Sequence, residues 1–235
     1  MPEVTFRERR RLTTLAEIKA IALAQLSTAG PDGLSLRAVA RELGMSVQAL
    51  YHYFASREAL LTALVTDAHD ALADAVRDSA EASLGADPGQ RLVAAGLAYR
   101  RWAVENRSAF LLIYGVPQAD YTAEPGGPTT TAAIRLAFAF RGVVFDGWSR
   151  EQLDAVELPD VDPGFTDRLA GASAAIDIDL PPGAFALFVS AWAQLHGLVM
   201  LEVLEHLPWL APRAPDLYRV ALADLAGQLA ARRTG

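Results

Sequence analysis

Apolar residues recur at helical spacing through the first eighty residues, and turn-forming residues separate the apolar segments. The pattern predicts a first helix around Leu15–Leu26 that closes at the turn cluster Gly30–Gly33. Ser35 caps a predicted second helix, and Gly44 ends it. A short third helix, Ser46–Tyr53, and a long fourth helix over 56–80 follow.

The rest of the chain has the same periodicity. Helices are predicted near 89–105, 107–114, 128–149, 184–207 and 215–232, with another around Phe165–Ala175 and a loop at Pro117–Pro128. Alternating β-branched runs bounded by turns, which indicate strands, do not occur in the sequence. The sequence therefore predicts an all-α protein.

Composition and charge limit the chemistry. The chain has 235 residues, 52% of them hydrophobic, which suits one or two domains with a sizeable core. It has no cysteine, which excludes disulfide scaffolds, zinc-thiolate sites and cysteine nucleophiles. The net charge of −7 is uneven: residues 1–60 hold eight Lys and Arg against six Asp and Glu, which is +2, and residues 61–235 therefore carry −9.

Two segments resemble membrane signals and are interpreted otherwise. An arginine-rich N-terminus precedes an apolar stretch, but Glu17 and Lys19 interrupt that stretch, which argues against a signal peptide. The 18 residues Ala184–Leu201 carry no charge, yet their flanks are acidic, so a helix buried in protein is expected there. We expect a cytoplasmic protein with no membrane partner.

The most specific constellation lies at residues 34–61. Ala40 stands where the two helices of a helix-turn-helix approach closely, and Gly44, four residues later, suits the positive φ of a tight turn. Apolar residues on both sides of the turn can lock the helices together. By spacing alone, an ordinary helical hairpin with a glycine C-cap remains the alternative.

The same segment carries a family resemblance. The runs Gly44-Met45-Ser46, Ala49-Leu50-Tyr51, Tyr53-Phe54 and Ser56–Leu61 resemble the signature of the TetR (tetracycline-repressor) family of bacterial transcriptional regulators. Tyr53 and Arg57 replace the histidine and lysine that are usual in the family. The resemblance is specific over about residues 10–65 and architectural beyond them. It implies an N-terminal three-helix helix-turn-helix DNA-binding domain at 1–60 and a C-terminal helical ligand-binding and dimerisation domain at 61–235.

The resemblance implies that the third helix enters the major groove of a pseudo-palindromic operator in double-stranded DNA. Gln48 and Arg37 are the base-reading candidates, because an amide matches the edge of adenine and a guanidinium that of guanine. The other candidate DNA-binding residues, mostly phosphate contacts, are Ser46, Val47, Tyr51, His52, Tyr53 and Arg57. Arg7 and Arg9–Arg11 form either a flexible arm on the DNA or a solvated tail.

The family also places a small-molecule pocket between its C-terminal helices. Candidate contacts for an apolar or amphipathic effector are Trp102, Tyr114, Phe138, Arg141, Phe145, Trp192 and His196, with core packing as the alternative for each aromatic ring. Trp192, His196 and Gly197 resemble the Trp-His-Gly motif of one C-terminal subclass, and a buried, hydrogen-bonded histidine is the alternative for His196. Arg141 must reach water, pair with an acid such as Asp146 or meet an anionic ligand, because an unpaired buried charge is unfavourable, and an ion pair is expected.

The last two predicted helices carry more apolar surface than one protomer covers, and the resemblance implies a four-helix homodimer interface there. The candidate interface residues are Phe188, Leu195, Val199, Val203, Leu217, Val220 and Leu225.

An all-helical enzyme, or an interaction module that keeps a helix-turn-helix without binding an operator, remains the alternative function. HExxH, GxSxG and glycine-rich phosphate motifs do not occur in the sequence. Glu202, Glu205 and His206 lack the Glu-x-x-His spacing of di-iron bundles. The sequence therefore predicts no catalytic residue, no metal and no cofactor, and favours a homodimeric repressor that an effector releases from DNA.

Overall fold

The computed structural model describes residues 5–29, 33–115 and 121–234, and within these ranges the regular structure is helical, with no strand. The eleven α-helices of this part of the chain are α1 (Phe6–Ala29), α2 (Leu36–Glu42), α3 (Val47–Tyr51), α4 (Arg57–Ala82), α5 (Pro88–Glu105), α6 (Arg107–Tyr114), α7 (Pro128–Val144), α8 (Arg150–Asp154), α9 (Pro163–Ala175), α10 (Pro182–Val203) and α11 (Ala214–Thr234). The all-α prediction is confirmed. Most of the predicted turn at 30–33 and the start of the predicted loop, 117–120, lie outside the described residues.

Two helix boundaries differ from the prediction for local reasons. The helix predicted over 128–149 ends at Val144, and Gly147 then adopts a left-handed φ of +73°. The short α8 that follows was not predicted, although its signal is present: the Ser149 hydroxyl accepts a hydrogen bond from the Gln152 amide, and the Gln152 side chain accepts one from the Ser149 amide. The helix predicted to reach 207 ends at Val203, before Glu205 with a φ of +60°.

The first helix begins at Phe6, well before the first predicted apolar position. The Thr5 hydroxyl accepts a hydrogen bond from the Glu8 amide at 3.3 Å, as an N-cap does. Arg7 and Arg9–Arg11 are therefore helical and exposed, so the flexible conformation predicted for this segment is wrong, and its contact with DNA stays a prediction.

The chain divides into two compact units. Unit 1 comprises the described residues of 1–69 and 106–131, and unit 2 those of 70–105 and 132–235. Helix α4 belongs to both, because its residues to His69 lie in unit 1 and those from Asp70 in unit 2. The predicted boundary at residue 60 separates a DNA-binding domain from an effector domain by function, not by compactness, and it stays a prediction.

Unit 1 has a continuous apolar core that holds the first four helices together. Ile18 and Ala22 of α1, Val39 and Ala40 of α2, and Leu50 of α3 are completely buried in it, together with Leu60 and Leu61 of α4. Full burial of Leu or Ile side chains stabilises each by about 1.5–3 kcal/mol relative to exposure. The short helices α2 and α3 are thus held by tertiary packing.

Unit 2 is built around α5, α10 and α11, with α8 and α9 packed on α10. Gly96 of α5 lies against the fully buried Leu222 of α11, and any side chain at 96 would overlap that leucine. Eight residues of α10 are buried in the unit. By length and composition alone α10 could also cross a membrane, and 33% of its most apolar window is buried.

Candidate functional site

The turn between α2 and α3 has the geometry that the sequence predicts. Gly44 adopts a φ of +66°, its amide donates to the Arg41 carbonyl at 3.2 Å, and the Met45 amide donates to the Ala40 carbonyl at 3.0 Å. These two bonds form a Schellman C-cap, in which a left-handed residue satisfies the last helical carbonyls. Ala40 is completely buried at the point where the helices meet. The predicted roles of Ala40 and Gly44 are confirmed.

Helix α3 presents one face to the core of unit 1 and another to solvent. The Ser46 hydroxyl caps the helix by accepting from the Ala49 amide at 3.1 Å, and Leu50 is fully buried. Val47 and Tyr53 are half-buried and pack against the same core. The exposed predicted DNA-binding residues of this segment are Ser46, Gln48, Tyr51 and His52. One anchored face thus leaves a polar face available for a partner.

The remaining two predicted DNA-binding residues lie at the starts of α2 and α4. Arg37 is exposed in the first turn of α2, which the Ser35 hydroxyl caps. Arg57 is half-buried, and its Nε donates to the Leu34 carbonyl at 3.3 Å. Arg57 therefore fixes the segment that leads into α2. Sequence reasoning missed this role, because nothing in the local pattern links positions 23 residues apart.

In unit 2 the predicted pair Trp192 and His196 forms an aromatic cluster with two other residues. The rings of Trp192 and His196 stack with centroids 4.7 Å apart, and His196 Nδ1 lies 2.8 Å from the Tyr99 hydroxyl. The Tyr99 ring packs edge-on against Phe140 at 5.1 Å. Burial lowers the pKa of His196, so the neutral imidazole is favoured. His196 is therefore a hydrogen-bonded, partly buried histidine.

Three of the other effector candidates, Tyr114, Phe138 and Phe145, have different surroundings. Tyr114 belongs to unit 1, where its ring lies near His69 and Phe110, and burial raises the pKa of its hydroxyl. Phe138 is 40% exposed, and Phe145 packs against Trp148 at 5.4 Å. A cavity of about 330 Å³ in unit 2 lies where α5 begins and α7 and α11 end, and its walls include none of the seven predicted effector residues.

Among the residues that the structure describes, Arg141 does not form the ion pair that the sequence predicts. Asp146 pairs with Arg91 of α5, and both side chains are mostly buried. The Arg141 Nε is buried without a hydrogen-bond partner among the described residues. The prediction failed because the order of residues in α7 and the turn after it does not show which cation of another helix lies beside Asp146.

The predicted dimer interface needs a larger correction. Five of its seven residues are buried inside the single chain and form its core: Phe188, Leu195, Val199, Val203 and Leu225. Leu217 and Val220 of α11 are exposed, as an interface requires. The same helices and their connection expose four further apolar residues: Val189, Leu201, Leu204 and Trp209. Helical periodicity identified both faces as apolar and could not tell which one the protomer itself covers.

The described residues contain no group of three or more His, Asp or Glu side chains that could hold a metal ion.

Two family models match the chain. One, described as bacterial regulatory proteins of the tetR family, matches residues 18–64, and the other, a tetracyclin repressor-like C-terminal domain, matches residues 92–225. Neither description mentions a Trp-His-Gly motif, so membership of the Trp-His-Gly subclass stays a prediction.

Curated relatives and solved structures agree with these matches. The HTH-type transcriptional regulators Mb1846 of Mycobacterium bovis and Rv1816 of Mycobacterium tuberculosis are each 39% identical over 132 residues, 56% of this chain and 56% of the relative. The chain thus spans about half the length of the curated relatives it matches. The crystal structure of SCO4313, described as a regulatory protein, is 32% identical, with a TM-score of 0.74 over 95% of this chain and 100% of that one. The TetR family regulator PfmR from Thermus thermophilus shares the fold, at 21% identity and a TM-score of 0.56 over 89% of this chain and 96% of that one.

Proposed function

The chain belongs to the TetR family of bacterial regulatory proteins, and from this we propose that it is a transcriptional repressor that occupies an operator in double-stranded DNA. The observation that carries the proposal is the exposed polar face of α3, held on a fully buried core by Leu50 and the Gly44 turn. An enzymatic role has no support in the family or in the fold. A regulator acts where the DNA is, so the proposed location is the cytoplasm, with no membrane partner.

Within the proposed DNA-binding domain at 1–60, Gln48 and Arg37 read bases. Both are exposed and end in groups that make bidentate contacts with base edges in the major groove. Ser46, Tyr51, His52 and Tyr53 contact phosphates, which sets the register of the protein without reading sequence. Val47 supplies a half-buried apolar contact beside Gln48. Arg57 combines a phosphate contact with its bond to the Leu34 carbonyl.

A mobility-shift assay on DNA from upstream of the chain's own gene tests the proposal. We expect a shift at low salt that weakens steeply as salt rises. Gln48→Ala should weaken binding by about 1–3 kcal/mol and relax the preference at one base position, whereas Arg57→Ala should weaken all sequences alike. Gln90→Ala is the matched control, because Gln90 is a glutamine on α5 in unit 2, away from α3 in the chain.

Two outcomes contradict the proposal at different levels. No shift at low salt with the purified protein would refute operator binding and favour an interaction module that keeps the helix-turn-helix. A shift that Gln48→Ala weakens without any change in sequence preference would refute only the assignment of Gln48 to base reading.

The proposed regulator is a homodimer formed through α10 and α11 in the domain at 61–235. The exposed apolar residues of these helices and their connection replace the five predicted residues that are buried: Val189, Leu201, Leu204 and Trp209 join Leu217 and Val220. A twofold dimer presents two copies of α3 to two half-sites about 34–36 Å apart, which is why the operator is expected to be pseudo-palindromic.

An apolar or amphipathic effector is proposed to bind in unit 2 and to release the DNA. The aromatic cluster of Trp192, His196 and Tyr99 supports a ligand with an aromatic or apolar body. The Nε of Arg141, which has no hydrogen-bond partner in the described part of the chain, supports an acceptor group on that ligand. Helix α4 is the proposed lever, because its residues belong to both units. Effector and DNA must then weaken each other's binding by the same factor.

Tryptophan fluorescence tests the effector proposal, because all four tryptophans lie in unit 2. A compound that quenches this fluorescence should lower operator affinity when it saturates the protein. Quenching by a compound that leaves operator affinity unchanged would contradict the lever.

A further inference from the structure

The cavity of about 330 Å³ in unit 2 has the size and the walls of a small-molecule site. Its apolar walls include the buried side chains of Leu92, Val143 and Leu229, and the Trp148 side chain also lines it. Small-molecule sites are usually concave and mainly apolar, with a few polar groups that fix the ligand's orientation. The polar groups of this cavity therefore indicate what it can bind.

Three charged residues line the cavity, and two of their charges are compensated within the chain. Asp146 forms its ion pair with Arg91. The Asp87 carboxylate accepts a hydrogen bond from the Gln90 amide at 3.1 Å, at the start of α5, where the helix dipole favours a negative charge. The third residue, Arg233, forms no ion pair with a carboxylate of the described residues. Its positive charge is thus left for a ligand.

The segment 146–152 holds Arg233 in position, although this arginine stands in the last turn of α11. Gln152 Nε2 donates to the Arg233 carbonyl at 2.8 Å, which fixes the backbone. Arg233 Nη1 donates to the Asp146 carbonyl at 3.4 Å, and a Cβ at Gly147 would come within 2.9 Å of this nitrogen. A guanidinium has five N–H groups, so donors remain for a ligand. A cation positioned before the ligand arrives loses less conformational entropy on binding.

We infer that this cavity is a second small-molecule site, and that its ligand is a monocarboxylate with an apolar body. A guanidinium forms two parallel, charge-assisted hydrogen bonds with a carboxylate, while the apolar body lies on the buried walls and Trp148. Asp87 and Asp146 line the same cavity and would repel a second negative charge on the ligand. The inference goes beyond the proposed function, because the cavity shares no residue with the effector candidates and its occupation does not require DNA.

Isothermal titration calorimetry of the full chain with phenylbutyrate tests the inference. Phenylbutyramide and phenylbutylamine have the same carbon skeleton with a neutral and a cationic end, so they separate charge from apolar burial. We expect saturable binding of phenylbutyrate with a dissociation constant of about 1 mM or below. The amide should bind about tenfold more weakly, because charge-assisted hydrogen bonds are roughly twice as strong as neutral ones. The amine should not bind, because its charge has the same sign as that of Arg233.

Variants of the two adjacent arginines locate the carboxylate. Arg233→Gln should weaken phenylbutyrate binding by about tenfold and leave phenylbutyramide binding almost unchanged. Arg232→Gln is the matched control, because Arg232 is exposed in the same turn of α11 and does not line the cavity, and it should change neither affinity. Arg233→Lys keeps the charge without the paired geometry and should give an intermediate affinity. Trp192→Phe alters the aromatic cluster outside the cavity and should leave phenylbutyrate binding unchanged. Circular dichroism should show the same helical content in all four variants.

Several results would overturn the inference. Absence of saturable phenylbutyrate binding up to about 10 mM would exclude the site for this class of ligand. Equal affinities for phenylbutyrate and its amide would show that apolar burial alone drives binding. Equal losses in Arg232→Gln and Arg233→Gln would indicate a response to net charge, and a loss in Trp192→Phe would place the ligand at the aromatic cluster. None of these measurements involves DNA, so each result leaves operator binding by the chain untouched.

Discussion

Replacing Gly44 with alanine tests the turn that holds α3 in place. Gly44 has a φ of +66°, in the left-handed region, and a Cβ at this position would meet no atom within 4 Å. The substitution therefore adds backbone strain without a steric clash. An L-residue in this region loses about 1–2 kcal/mol.

Part of that loss is offset in the unfolded chain. Alanine has fewer unfolded conformations than glycine, which stabilises the folded state by about 0.4–1 kcal/mol. The net loss of unfolding free energy for Gly44→Ala is therefore about 1 kcal/mol. A domain stable by about 5–15 kcal/mol remains almost completely folded after such a loss, so operator affinity should hardly change.

The assay is urea unfolding followed by far-ultraviolet circular dichroism, with tryptophan fluorescence in parallel. Fluorescence reports unit 2, where all four tryptophans lie, and circular dichroism reports both units, so a loss confined to unit 1 appears in the second signal. Gly44→Asn should lose less than Gly44→Ala, because asparagine tolerates the left-handed region.

Gly171→Ala is a control that should change the free energy of unfolding in the opposite direction. Gly171 lies inside α9 with an ordinary helical backbone and free space around it, so alanine should stabilise by about 0.5–1 kcal/mol. If Gly44→Ala also stabilised the protein, the argument from backbone strain would be wrong.

Three further predictions follow from unit 2. Gly96→Ala should destabilise by about 1–3 kcal/mol in urea, because its Cβ overlaps the buried Leu222, and unchanged stability would contradict that packing. Burial lowers the pKa of His196 below its ordinary value near 6.5, so the unfolded chain binds the proton more tightly than the folded chain does. The contribution of neutral His196 to stability is therefore complete above pH about 6.5 and decreases as the pH falls towards the lower pKa of the folded state. His196→Gln should flatten this decrease in thermal melts, whereas the exposed control His52→Gln should not; equal curves for wild type and His196→Gln would refute the argument. Val220→Glu should shift sedimentation towards the monomer, because Val220 is 58% exposed on α11, and the matched Val104→Glu on α5 should not; a dimer that survives Val220→Glu would exclude that face.

Local signals predicted most of the helices and the turn at Gly44. Periodicity located α5, α6, α9 and α11 to within one or two residues, because the spacing of apolar residues within a segment is enough to identify a helix there. The early end of α7 also has a local cause, since the capping box at Ser149 and the glycine at 147 were both present in the sequence. The DNA-binding candidates could also be chosen from local sequence, because all of them lie within 21 consecutive residues, from Arg37 to Arg57.

The effector candidates lie far apart in the chain, and here sequence reasoning was weaker. It paired Trp192 with His196, which are four residues apart on one helix. It did not find that Tyr99 bonds to His196, and it assigned Tyr114 to a group that lies in another unit. Contacts between distant segments depend on how helices pack, which no local pattern records.

By itself, the sequence determined the helical class, the helix-turn-helix and its family, because these depend on spacing, caps and turns within short segments. Only the tertiary structure decided which apolar face of α10 is core, which cation Asp146 pairs with, and that Arg233 lines one cavity with Trp148. The physical reason is the same in each case. A side chain's hydrophobicity or charge is a property of the residue, but its partner is set by the packing of segments that are distant in the chain.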